Sequence, residues 1–175
     1  MKLPKNVRKL NPEEKMLAYT VFLNTIPLDF IRLTDGLGYN DRPFTINVPS
    51  DDPAGMSPIL NVFLGGTTKY PMSKFFIYLN VGPSIYRNAF LYKPATFIHE
   101  MTHAWQYLHG NHVVLDSLYS QATSHDAYTY KPGAAWDSYN VEQQASIVED
   151  WFKSHANKRD RQKYMENNIW KGKIK

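Results

Sequence analysis

Apolar and polar positions follow two different periods along the chain. Asn11-Pro12-Glu13-Glu14 combines a side-chain cap, a proline at the first helical position and acidic residues at the positive dipole end. It predicts a helix running to about Asn24. After Pro27 the texture changes to short β-favouring runs at Phe30 to Leu33, Phe44 to Val48, Leu60 to Leu64 and Phe75 to Leu79. Turn-forming clusters such as Asp35-Gly36-Leu37-Gly38 and Gly65-Gly66 separate them, so a small, partly antiparallel sheet is expected. Helical periodicity returns from Lys93-Pro94 to Gly110-Asn111, where glycine suits a left-handed cap. The segment from Asn111 to Asn140 is polar and turn-rich, with Tyr119, Tyr128, Tyr130 and Tyr139 scattered through it, and reads as an active-site loop region. A further helix begins near Val141-Glu142 and carries Ala145, Ile147, Val148, Trp151 and Phe152, followed by a charged segment expected to form another helix. The pattern is that of an α+β fold.

The length of 175 residues suits one domain spanning residues 1–175. No apolar stretch approaches the roughly 18 residues that a membrane span needs, so no membrane insertion is expected. Basic Met1 to Lys9 leads into Asn11-Pro12-Glu13-Glu14 rather than an apolar stretch, so no signal peptide and a cytoplasmic location in the producing cell are expected. The net charge of +4 is dispersed, with concentrations only at the two ends. It therefore reads as a solvated surface rather than a nucleic-acid footprint. With no cysteine in the chain, disulfides and thiolate metal sites are excluded, and histidine and carboxylate remain as the strong ligands.

Those ligands occur in a telling order. Residues 99 to 103 read His99-Glu100-Met101-Thr102-His103, a His-Glu-x-x-His pattern that composition alone would produce in on the order of 1% of such chains. On a helix, residues four apart share one face, so both imidazoles reach a single Zn2+ ion while Glu100 sits beside it as general base. A solvated face that happens to carry two histidines is disfavoured by Phe97, Ile98, Ala104 and Trp105. A helix this apolar is buried, and a buried imidazole needs a partner.

Catalytic zinc normally takes three protein ligands and one water, so one ligand must come from elsewhere. His109 has the spacing of the extended His-Glu-x-x-His-x-x-Gly-x-x-His motif, but Gln106 stands where its glycine belongs. If the helix simply continues, His109 is rotated about 80° from His99 and lies about 9 Å beyond His103, out of reach of the metal. Glu142 is the better candidate, because it opens a later helix and a small residue one turn on lets two helices approach closely. Glu149, two turns further, reads first as an ordinary surface or helix-pair carboxylate, with holding a ligand imidazole or substituting as a ligand as the functional alternatives.

Phe97 to Gln106, a tyrosine-containing loop, and then Tyr139-Asn140-Val141-Glu142-Gln143-Gln144-Ala145-Ser146-Ile147-Val148-Glu149-Asp150 together resemble the small bacterial zincins encoded beside type VI secretion spike proteins. The N-terminal Asn11-Pro12-Glu13-Glu14 helix, Phe22 and the strand around Asp29-Phe30-Ile31 extend the likeness over most of the chain. The resemblance implies a zincin-like metallopeptidase fold, with a small mixed sheet packed on the His-Glu-x-x-His helix and a C-terminal ligand helix. It also implies His99, His103 and Glu142 as zinc ligands, Glu100 as base, and use as an antibacterial toxin, with a secretion spike carrier and an immunity protein as partners. One departure is Ser146, where better-known glutamate-ligand zincins carry Asp, which leaves Glu149 or Asp116 to support a histidine.

The chemistry this predicts is amide hydrolysis: zinc acidifies a water, Glu100 takes its proton, and the proton passes to the leaving amine. Tyr128, Tyr130 and His125 are candidates to stabilise the oxyanion. An edge strand beside the motif helix, assigned to Phe75 to Asn80, would bind an extended peptide by main-chain pairing. A protein or peptide substrate is favoured, with peptidoglycan amide bonds as the alternative. A non-catalytic, zinc-stabilised adaptor is a further reading, against which Glu100 argues because a purely structural site needs no base.

Overall fold

The computed structural model describes residues 2, 4–48, 76–110, 113, 126–154 and 158–172. In chain order these form β1 (Val7–Lys9), α1 (Pro12–Phe22), β2 (Ile31–Thr34), β3 (Phe44–Val48), β4 (Phe76–Asn80), α2 (Gly82–Arg87) and α3 (Ala89–Tyr92). The long α4 (Pro94–Leu108) follows, then α5 (Val141–Lys153) and α6 (Lys158–Tyr164), which runs on into a wider-wound turn at Met165–Ile169. The expected run Leu60 to Leu64 lies outside the described residues, as do Asp116, Tyr119 and His125.

Two helices start with reciprocal caps. The Asn11 side chain accepts from the Glu14 N–H while the Glu14 carboxylate accepts from the Asn11 N–H, and Asn140 and Gln143 repeat the arrangement at α5. Glu14 is also gripped by Arg8 through two bonds of 2.7 and 2.8 Å and accepts from the Ala89 N–H, so one buried carboxylate ties β1, α1 and α3 together. The first helix stops at Phe22, short of Asn24, because Leu23 turns to φ 53°.

The described strands form one mixed sheet in the order β1-β2-β4-β3, with β2 and β4 parallel and the other two pairs antiparallel. This corrects the assignment of Phe75 to Asn80 as an edge. Strand β4 has neighbours on both sides and is buried at four of its five positions, whereas β1 and β3 are the two edges among the described residues. Ile31, Leu33 and Leu79 from the sheet join Phe97, Ile98 and Met101 of α4 and Ile147 and Val148 of α5 in one fully buried core. The sheet thus packs on the motif helix, and α4 and α5 pack against each other more extensively than any other described pair. No helix among the described residues is long and apolar enough to cross a membrane.

Candidate metal centre

Helix α4 is buried at every position from Phe97 to Gln106, so its polar residues must find partners inside the protein. His99 and His103 lie one turn apart, and both direct Nε2 at a single oxygen of Glu142, in the first turn of α5. The separations are 3.2 Å from His99 and 3.4 Å from His103. Ligand atoms from these three buried residues all lie within 4.8 Å of one another, so the group could hold a metal ion. Donors placed tetrahedrally at the usual zinc distances are about 3.3 Å apart, which matches both measured edges.

The outer nitrogens are held as well. Glu149 accepts from His99 Nδ1 at 3.0 Å, and its other oxygen lies 3.2 Å from Lys153 Nζ. His103 Nδ1 meets Gln106 Oε1 at 2.8 Å. The orientation of that amide follows from its other end: Gln106 Nε2 donates to the Val141 carbonyl at 3.0 Å, and a carbonyl can only accept. Oε1 therefore faces His103, Nδ1 donates to it, and Nε2 is the nitrogen turned towards Glu142. Gln106 Nε2 also donates to Gln144 Oε1 at 2.9 Å, so the residue that replaces the motif's glycine clamps α4 to α5.

Electrostatics favour a cation at this place. Burial works against a charged His99, but the hydrogen-bonded carboxylates of Glu142 and Glu149 outweigh it and raise the pKa to about 10. Burial likewise opposes the Glu142 anion, yet the hydrogen bonds from His103 and His99 hold its carboxyl far below the usual range. The carboxylates of Glu142 and Glu149 thus hold a positive charge at His99, the place a metal cation would take over from the imidazole's proton.

Glu100 is buried beside this group. Its Oε2 accepts from Thr45 Oγ1 at 2.7 Å, and Thr45 lies on edge strand β3. Burial raises the Glu100 pKa against the opposing charges of His103 and His99, which suits a group that must exchange a proton.

The remaining candidates separate cleanly. The Tyr128 ring lies 6.0 Å from the His99 ring, and its hydroxyl accepts from Arg42 at 3.3 Å. Tyr130, the other sequence candidate for oxyanion donor, has its hydroxyl engaged by two side chains. Its hydroxyl donates to Asp150 at 2.9 Å and accepts from Arg161, so both its functions are already used. His109 stacks on Trp105 at 3.9 Å, meets the Trp105 carbonyl through Nδ1 at 2.6 Å, and stays outside the metal group. Thr45 and Arg42 went unnoticed in the sequence, and Gln106 was read only as the missing glycine of the extended motif. Gln106 carried a usable signal, an amide three residues after His103 on an apolar helix; the other two lie more than a strand away and carried none.

No protein-family model matches the chain. Over 67 residues it is 46% identical to the type VI secretion system spike protein VgrG2b of Pseudomonas aeruginosa, a match covering 35% of this chain and 7% of that protein. The solved effector domain of Pseudomonas aeruginosa VgrG2b superposes with a TM-score of 0.57 and 26% identity, covering 95% of this chain and 85% of that one. The chain resembles a type VI secretion effector domain. It spans only a small part of the spike's length but most of the effector domain's, which supports an association with type VI secretion.

Proposed function

We propose that this protein is a zinc metallopeptidase with a zincin-like fold, delivered as an effector through type VI secretion. The observation that carries this reading is the convergence of His99, His103 and Glu142 beside a buried, Thr45-bonded Glu100. The donor set of two imidazoles and one carboxylate fits zinc and leaves a position for water and substrate. When bound, zinc acidifies a water and polarises the scissile carbonyl. Glu100 takes the proton of the attacking water and returns it to the departing amine, held in place throughout by Thr45. An extended peptide pairs with edge strand β3, which brings its backbone past Thr45 towards Glu100. Tyr128, beside His99, supplies an O–H to the carbonyl oxygen as it gains charge. The likeness to a spike's effector domain supports a spike as carrier, and an immunity partner would protect the producing cell by covering the site.

The test is purification without chelator of the unmodified protein, Glu142→Ala and Glu100→Gln, followed by zinc quantification and cleavage of unfolded casein. The unmodified protein and Glu100→Gln are expected to hold one zinc each and Glu142→Ala to lose it. Glu100→Gln should lose at least about 100-fold in cleavage rate. Full activity in Glu100→Gln would overturn the mechanism, and cleavage of peptidoglycan but not casein would move the substrate to that polymer.

A further inference from the structure

We propose that Arg42 is a positioning residue that holds the Tyr128 hydroxyl by its oxygen, leaving the phenolic proton to be given to the substrate's carbonyl oxygen. The proposal rests on the hydrolase reading above and adds to it a residue from a different part of the chain.

The turn before β3 is built to place Arg42. Asn40 and Asp41 both adopt left-handed backbone, at φ 54° and 55°, a conformation uncommon outside glycine even for these two residue types. The Gly38 N–H donates to the Arg42 carbonyl at 2.8 Å and closes the turn. From there the guanidinium reaches across 86 residues of sequence to donate to the Tyr128 oxygen at 3.3 Å, lying 5.6 Å from the centre of the tyrosine ring.

The other side is anchored as firmly. The Asp126 carboxylate accepts from the backbone N–H groups of Tyr128 and Thr129 at 3.2 and 3.1 Å, forming a side-chain-closed turn. The Thr129 carbonyl accepts from Gln143 Nε2 at 2.8 Å, which latches this turn to the first turn of α5, next to the ligand Glu142.

Donor and acceptor counting then assigns the proton. An arginine can only donate, so the Tyr128 oxygen is the acceptor in this bond and its own O–H has not been spent on it. Among the described residues it meets no acceptor. Tyr130 shows the contrast: Asp150 takes its proton while Arg161 donates to its oxygen, and nothing is left for a substrate. A guanidinium on the phenol oxygen also polarises the O–H, making it a better donor to a developing negative charge.

The test is a double-mutant cycle read by calorimetric binding of a phosphoryl-dipeptide, whose tetrahedral phosphorus oxygens imitate the charged carbonyl oxygen. The zinc-loaded unmodified protein, Arg42→Ala, Tyr128→Phe and the double variant are compared after each is shown to hold equal zinc. Each single change is expected to weaken binding about tenfold. The double variant should bind no more weakly than Tyr128→Phe, because Arg42 then has nothing to act through. Arg42→Lys, which keeps a donor, should recover part of the loss. A roughly hundredfold, additive loss in the double variant would mean that Arg42 contacts the ligand itself and overturns the proposal, as would undiminished binding in either single variant. Zinc-loaded unmodified protein that binds no phosphoryl-dipeptide would instead overturn the hydrolase reading on which the proposal rests.

Discussion

Between α4 and α5 both imidazoles of the candidate metal centre are engaged at both nitrogens: Glu142 faces the inner nitrogens of His99 and His103, while Glu149 and Gln106 hold the outer ones. At the rim, where the β2–β3 turn meets the Asp126–Thr129 segment, one bond of 3.3 Å joins an exposed arginine to a half-buried tyrosine. The first region is buried in the same seam as the core, so a lost contact there leaves an unpaired polar group in the protein interior. The second borders water, where a lost contact is replaced by solvent. Stability and metal retention should therefore be governed by the helix pair, and substrate handling by the rim.

The sharpest way to break that division is through Gln106, which is fully buried and bridges both helices. Gln106→Ala strands the outer nitrogen of His103 and Gln144 Oε1 and removes a second donor from the Val141 carbonyl, at an expected cost of about 2–4 kcal/mol. Thermal unfolding should shift down by about 10 °C. Zinc affinity should fall about 10- to 100-fold, measured by competition with a chromogenic chelator. Gln106→Glu separates the two effects, since it keeps an acceptor for His103 but loses the donor to Val141. It should retain most of the zinc affinity while remaining destabilised. Equal zinc affinity in Gln106→Ala and the unmodified protein would show that the helix seam does not set the geometry of the ligands.

The same contrast separates what the sequence disclosed from what it did not. Asn11, Asn140 and the His-Glu-x-x-His run are local signals, readable within one or two helical turns, and the helices they mark are present within a residue or two. Gln106 was readable in principle, because a buried amide three residues from a histidine shares its face. Strand order was not readable: β4 lies between β2 and β3 although it follows both in sequence, and three-residue β1 carries too little pattern to announce itself. Thr45 and Glu100 meet across 55 residues, and Arg42 and Tyr128 across 86, so no local period could report either contact. Tyr128 and Tyr130 looked equivalent because they share one loop. The Asp126 turn bends the chain at Tyr128 and sends the two rings to different surroundings.

A gentler probe of the helix pair is pH, applied to the metal-free protein. His99 is raised from 6.5 to about 10 by its carboxylates, so the stability it contributes is complete below pH 6.5 and is lost as pH climbs towards about 10. Glu142 is lowered from 4.5, so its contribution is complete above pH 4.5 and declines as the solution is acidified below that. Stability of the metal-free protein should therefore peak between pH 4.5 and 6.5, as followed by denaturant unfolding. Zinc affinity should run the other way, increasing with pH because the imidazoles must lose protons to bind. Stability of the metal-free protein that rises steadily from pH 6 to 9 would contradict the ion pairing assigned to His99.

The smallest effect is expected at Tyr130, and it marks where the rim ends. Its hydroxyl is committed to Asp150 and Arg161, side chains 34% and 16% exposed. Tyr130→Phe removes those bonds but keeps the ring against Tyr139, at a cost of about 1 kcal/mol in unfolding free energy. Cleavage by this variant should stay within about twofold of the unmodified rate, whereas Tyr128→Phe should lose about tenfold or more. The difference follows from hydrogen-bond capacity rather than from distance alone: one phenol has a proton to give and the other has already given it. Equal losses in the two variants would move the boundary of the rim to include Asp150 and Arg161, and would make the tyrosine loop act on substrate as a unit.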